Sequence, residues 1–108
     1  MNMLKKIIEL KEFQLRQVWR ENDLAIYEQH EKDHETQAVN EEIWGYEVII
    51  IEIMPMKIIG STNIPEHEIY PKGEDWGIRA WTTISLKAAQ ARVRIIKERR
   101  YEIANLII

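Results

Sequence analysis

Residues 46 to 54, Tyr46-Glu47-Val48-Ile49-Ile50-Ile51-Glu52-Ile53-Met54, decide how this chain is read. Five of the nine are valine or isoleucine, whose branched side chains are stiff at χ1 and pack well on a pleated surface. The stretch is predicted to be the central strand of a sheet. Successive side chains alternate, so Ile49, Ile51 and Ile53 fall on one face and Tyr46, Val48 and Ile50 on the other. Both faces are apolar, and both need cover.

Cover for one face is predicted downstream. A helix begins near Ser85, whose hydroxyl caps the free N–H groups of the following turn, and runs through Leu86, Ala89, Val93 and Ile96 at spacings of three and four. Upstream, residues 12 to 32 read as a hairpin. Phe13, Leu15, Val18 and Trp19 lead into the turn-forming Glu21-Asn22-Asp23, and Leu24-Ala25-Ile26-Tyr27 returns. Residues 35 to 43 are polar and predict a loop, while three glycines and all three prolines fall between residues 55 and 77 and predict one long connection. Leu4, Ile7 and Ile8 fit a short helix or a first strand equally. The fold class expected is α+β: one domain, residues 1–108, with an antiparallel sheet of three or four strands and a C-terminal helix packed on one face. Ala104-Asn105-Leu106-Ile107-Ile108 is apolar for a terminus and is expected to dock, on its own core or on a second copy.

The chain has 108 residues, 45% of them hydrophobic and 31% charged, the balance of a globular domain with a single core. No apolar run approaches the roughly 18 to 20 residues that span a bilayer. The start, Met1-Asn2-Met3-Leu4-Lys5-Lys6, has charge too early for a signal peptide, so a cytoplasmic location is expected. With no cysteine, disulfides, thiolate zinc sites and thiol nucleophiles are excluded. The net charge of −3 hides an asymmetry: residues 1 to 84 hold nine Lys/Arg against sixteen Asp/Glu, and residues 85 to 108 hold six against two.

His30-Glu31-Lys32-Asp33-His34 matches the H-E-x-x-H template of zinc peptidases. That chemistry needs both histidines on one buried helix, with a third ligand from elsewhere. Here a helix would turn Lys32 toward the core, at a cost of several kcal/mol for an unpaired ammonium. Residues 28 to 42 also offer only Ala38 and Val39 as apolar cover. The motif is therefore placed at a strand end or in a loop, and a zinc peptidase is the least favoured function. No metal or cofactor is expected. No nucleophile elbow is present, Gly73-x-x-x-Gly77 is not a phosphate loop, and no enzyme activity is expected.

Glu66-His67-Glu68-Ile69-Tyr70 alternates like a short strand, which Pro71 and Gly73 end. Trp76 and Trp81 then bracket the approach to the helix. Their indoles are expected to close the end of the sheet, and Glu74, Asp75, Trp76 and Arg79 are candidates for contact with a partner. The arrangement E-x-E-x-Y-P followed by E-x-W-G-x-x-A-W, preceded by Ala25-Ile26-Tyr27-Glu28-Gln29 and Tyr46-Glu47-Val48, resembles a group of small uncharacterised proteins of bacteriophages and bacterial genomes, over about residues 15 to 97. The resemblance implies a phage or prophage origin; the group has no assigned activity, so it gives no residue a role.

On the helix, Lys87 and Arg94 lie on one side of the apolar stripe and Arg92 and Arg99 on the other, with Ala88 and Ile95 near the latter. Arg92, Arg94 and Arg99 are candidate contacts. Two rails beside a core face suit acidic neighbours better than one phosphate backbone. The expected function is a small non-enzymatic module that binds another protein or itself, with homodimerisation favoured by the aliphatic termini. The alternative is a nucleic-acid-binding protein that uses the basic helix.

Overall fold

A computed structural model describes residues 2–107, with side chains through residue 106. The hairpin forms as expected, from β2 (Phe13–Glu21) and β3 (Leu24–Glu31), and the chain turns between them at Asn22, whose φ of 54° is a left-handed conformation that asparagine tolerates. With β1 (Ile7–Glu9), β4 (Gly45–Ile50) and β9 (Ala80–Thr83) these strands make one antiparallel sheet in the order β1-β2-β3-β4-β9. The α+β class stands, with five strands in the main sheet instead of three or four. Its middle strand is β3, one place over from the isoleucine run.

That run is also divided. β4 ends at Ile50, which pairs with Leu24, the first residue after the hairpin turn, so β4 has no neighbour to follow beyond it. The Ile51 N–H instead donates to the Asp23 carbonyl at 2.6 Å, and the chain leaves the sheet. β5 (Glu52–Met54) then pairs with β8 (His67–Ile69), and β6 (Lys57–Ile59) with β7 (Thr62–Ile64) across a turn at Gly60, φ 61°. The stretch expected to be one connection thus carries the β6–β7 hairpin, while β8 is the short strand expected within residues 66 to 70. Ile53, expected inside, is 52% exposed.

The alternation expected within β4 holds. Ile49 and Ile51 join Leu15, Ala25, Tyr27 and Ala80 on the far face, while Val48 joins Leu24 and Ile26 under the helix α1 (Leu86–Ile107). Ala89, Val93 and Ile96 of α1 are buried there, and the Ser85 hydroxyl accepts the Ala88 N–H at 3.1 Å as the expected cap. A bulge at Val18 lets Gln17 and Trp19 point to opposite faces, Gln17 toward Tyr27 and Trp19 toward the helix.

The far face is covered by the N-terminal segment and Tyr70. The Tyr27 hydroxyl donates to the Lys5 carbonyl at 2.7 Å, and the Leu4 N–H donates to the Glu68 carboxylate at 2.8 Å. Arg20 grips the same carboxylate with two bonds of 2.7 and 2.5 Å and holds it below the ordinary carboxyl range. The result is two layers, flat and wide, with extents of 54 × 46 × 22 Å. The radius of gyration is 16.1 Å, against about 13 Å for a compact chain of this length. No helix among the described residues is long and apolar enough to cross a membrane.

Candidate functional site

Three groups of side chains carry chemistry, and the first is a polar cluster inside the far face. Glu47 has the parity of Ile49 and Ile51, so the strand turns its carboxyl inward, where it is 4% exposed. Gln29 donates to it at 2.6 Å from the neighbouring strand, and the Tyr70 hydroxyl donates to its other oxygen. Burial outweighs the Gln29 bond and pushes the Glu47 carboxyl up to about 7, so it titrates near neutrality. The Gln29 carbonyl oxygen has no hydrogen-bond partner and sits against Gly45, the one strand residue small enough to admit it. Sequence reasoning passed over this cluster, although the parity of Glu47 within an apolar strand was the available signal.

The Trp76 loop closes over that cluster. Trp76 packs on Tyr70, with ring centroids 6.1 Å apart, and its indole N–H donates to Thr82 at 3.0 Å. Of the four residues proposed there as contacts, Asp75 and Arg79 are engaged internally. Asp75 accepts the Lys72 N–H at 2.9 Å and an Arg79 N–H at 2.6 Å, and Arg79 also pairs with Glu52. Glu74 remains exposed and Trp76 is 37% exposed.

The second group is cationic. Arg92 lies over the Trp81 ring at 5.1 Å, Lys97 pairs with Glu21 at 2.7 Å and sits 5.7 Å from the Trp19 ring, and Arg100 forks onto Asp23 with bonds of 2.9 and 2.8 Å. Half of the helix's cations therefore answer partners in the chain itself. Arg94 borders an apolar groove of about 400 Å³ between α1 and the bulge of β2, lined by Val18, Trp19, Ile26 and Val93. Arg94 and Arg99 are exposed and form no ion pair among the described residues.

The third group contains the two histidines of the H-E-x-x-H match. His30 lies on β3, 1% exposed, with Nδ1 2.9 Å from the Asn40 carbonyl and Nε2 2.8 Å from Glu28. His34 is exposed in the loop beyond, and Lys32 pairs with Glu9. The helix that the peptidase motif requires is a strand end and a loop, as the sequence predicted. Among the described residues no group of three or more His, Asp and Glu side chains is placed to hold a metal ion.

Among the described residues eighteen large hydrophobic side chains are exposed, Val18 and Trp76 included, with Met56, Ile58 and Ile59 at the β6 arm and Tyr101, Ile103 and Leu106 on the last turns of α1. The expected docking of the C-terminus on its own core does not occur through residue 106, and Ile108 lies outside the described residues. Comparison with protein-family models, with curated proteins and with solved structures gives no match.

Proposed function

We propose that this chain is a small non-enzymatic protein-interaction module whose contact surface is the apolar material displayed outside its two core layers. One observation carries the reading. The chain, of 12.9 kDa, exposes 7649 Å², where a folded monomer of that mass exposes about 6,300 Å². The excess, about 1,300 Å², exceeds the roughly 800 Å² that each partner contributes to a standard interface. Internal engagement of the reactive groups supports the non-enzymatic half: Glu47 is held by Gln29 and Tyr70, Asp75 by Arg79, and His30 by Glu28 and the Asn40 carbonyl.

A photo-reactive residue placed at Ile58 or at Leu106, in cells that make the protein, tests this. Cross-linked adducts of defined mass are expected from one or both positions and not from Glu35 in the polar loop. Absence of adducts at both apolar positions overturns the proposal.

A further inference from the structure

We infer that the partner is a second copy of this chain, joined by antiparallel pairing of the two α1 helices about a two-fold axis. The inference rests on the interaction reading above and gives it an occupant. On α1 the sheet-facing residues are Ala89, Val93 and Ile96. At roughly 100° per residue, Ile95, Arg99, Glu102 and Leu106 form a second stripe about 110° round from them. This stripe lies on the side where Arg92 reaches Trp81, above β9, the last strand of the sheet.

All four residues are exposed, Ile95 by 37% and Leu106 by 85%. Their spacing of four, three and four is that of a coiled-coil seam, with apolar residues at the two outer positions and opposite charges at the two inner ones. Among the described residues no ion pair engages it, at Arg99 or at Glu102.

The stripe is complementary to its own reverse. When two copies run antiparallel about an axis between residues 100 and 101, Ile95 meets the partner's Leu106 and Arg99 meets the partner's Glu102. Each contact occurs twice, as a two-fold requires. Parallel pairing would set Arg99 on the partner's Arg99 and Glu102 on the partner's Glu102, a juxtaposition of like charges that disfavours it.

Sedimentation equilibrium of the full chain from about 1 to about 100 μM tests the inference, with circular dichroism to verify folding of each variant. The wild type is expected to dimerise. Arg99→Glu and Glu102→Arg alone each place like charges in two layers and are expected to weaken the dimer by about tenfold or more. An equimolar mixture of the two single variants restores opposite charges in both layers, so it is expected to give a heterodimer, and the double variant a homodimer. A monomeric wild type overturns the inference, as does dimerisation of both single variants at wild-type strength, or failure of the mixture to associate. The interaction reading stands separately: a monomer in solution that still forms adducts with another protein from Ile58 or Leu106 removes the second copy and keeps the module.

Discussion

Replacing Glu47 by glutamine should make the protein more stable at alkaline pH and remove most of its pH dependence near neutrality. The wild-type carboxyl has an ordinary value of 4.5 when the chain is unfolded and about 7 when it is buried between Gln29 and Tyr70. Between those values the folded state holds a proton that the unfolded state has released. Stability from this group is therefore fully present below about pH 4.5 and falls as pH rises through about 7. Raising the carboxyl from 4.5 to about 7 corresponds in full to about 3 kcal/mol, of which about 2 kcal/mol is lost between about pH 5.5 and about pH 8.5. Glutamine reproduces the protonated arrangement: its carbonyl accepts from Gln29, and its amide donates to the Tyr70 oxygen.

Urea unfolding at intervals across that range measures both proteins. The wild type should lose about 2 kcal/mol and Glu47→Gln much less, so that the variant is the more stable at the alkaline end. The window lies above the range in which Asp23 and Glu68 titrate; both are held low, first by their bonds to Arg100 and Arg20, and they act with the opposite sign at acid pH. Parallel curves for the two proteins would refute the reasoning, because they would mean that Glu47 ionises in the folded state as readily as in the unfolded chain.

Gly45→Ala places a methyl 2.9 Å from the Thr83 carbonyl and 3.1 Å from the Gln29 side chain, so it should cost about 1 to 3 kcal/mol in a denaturant titration. Arg20→Met leaves the Glu68 carboxylate, 8% exposed, with only the Leu4 N–H, and about 3 kcal/mol of destabilisation is expected, much of it recovered in Arg20→Met/Glu68→Leu. Removing residues 101–108 takes away Glu102 and Leu106 and, among the described residues, no side chain of either core cluster. The shortened chain should therefore unfold cooperatively near the wild-type monomer's midpoint and sediment as a monomer at every concentration.

Most of the architecture was legible because it follows local rules. Asn22-Asp23 made the hairpin turn, Ser85 capped the helix, and strand parity sorted Ile49 from Val48. The features not legible depend on where a strand's neighbour stops. Nothing in Ile50-Ile51-Glu52 signals a break, since all three would continue a strand; the break comes from the hairpin turn alongside, which leaves β4 unpaired beyond Leu24. Sites followed the same division. The H-E-x-x-H match was correctly placed off a helix from the apolar strand before it, whereas the Glu47 cluster draws on β3, β4 and a residue after β8, and only the folded chain brings these together.

The length of α1 bears on function as directly as any side chain. Twenty-two residues make a helix of about 33 Å, yet its buried positions end at Ile96, and Arg100, tied to Asp23, is the last side chain that holds the body of the protein. A helical end in water gains little from its own hydrogen bonds and is stabilised mainly by packing an apolar face. The segment beyond Arg100 nevertheless carries Ile103 and Leu106, 58% and 85% exposed among the described residues. In the dimer we infer, a second α1 would supply a surface for them, because the overhang of each copy would lie along the sheet-bound half of the other, beside Ile95.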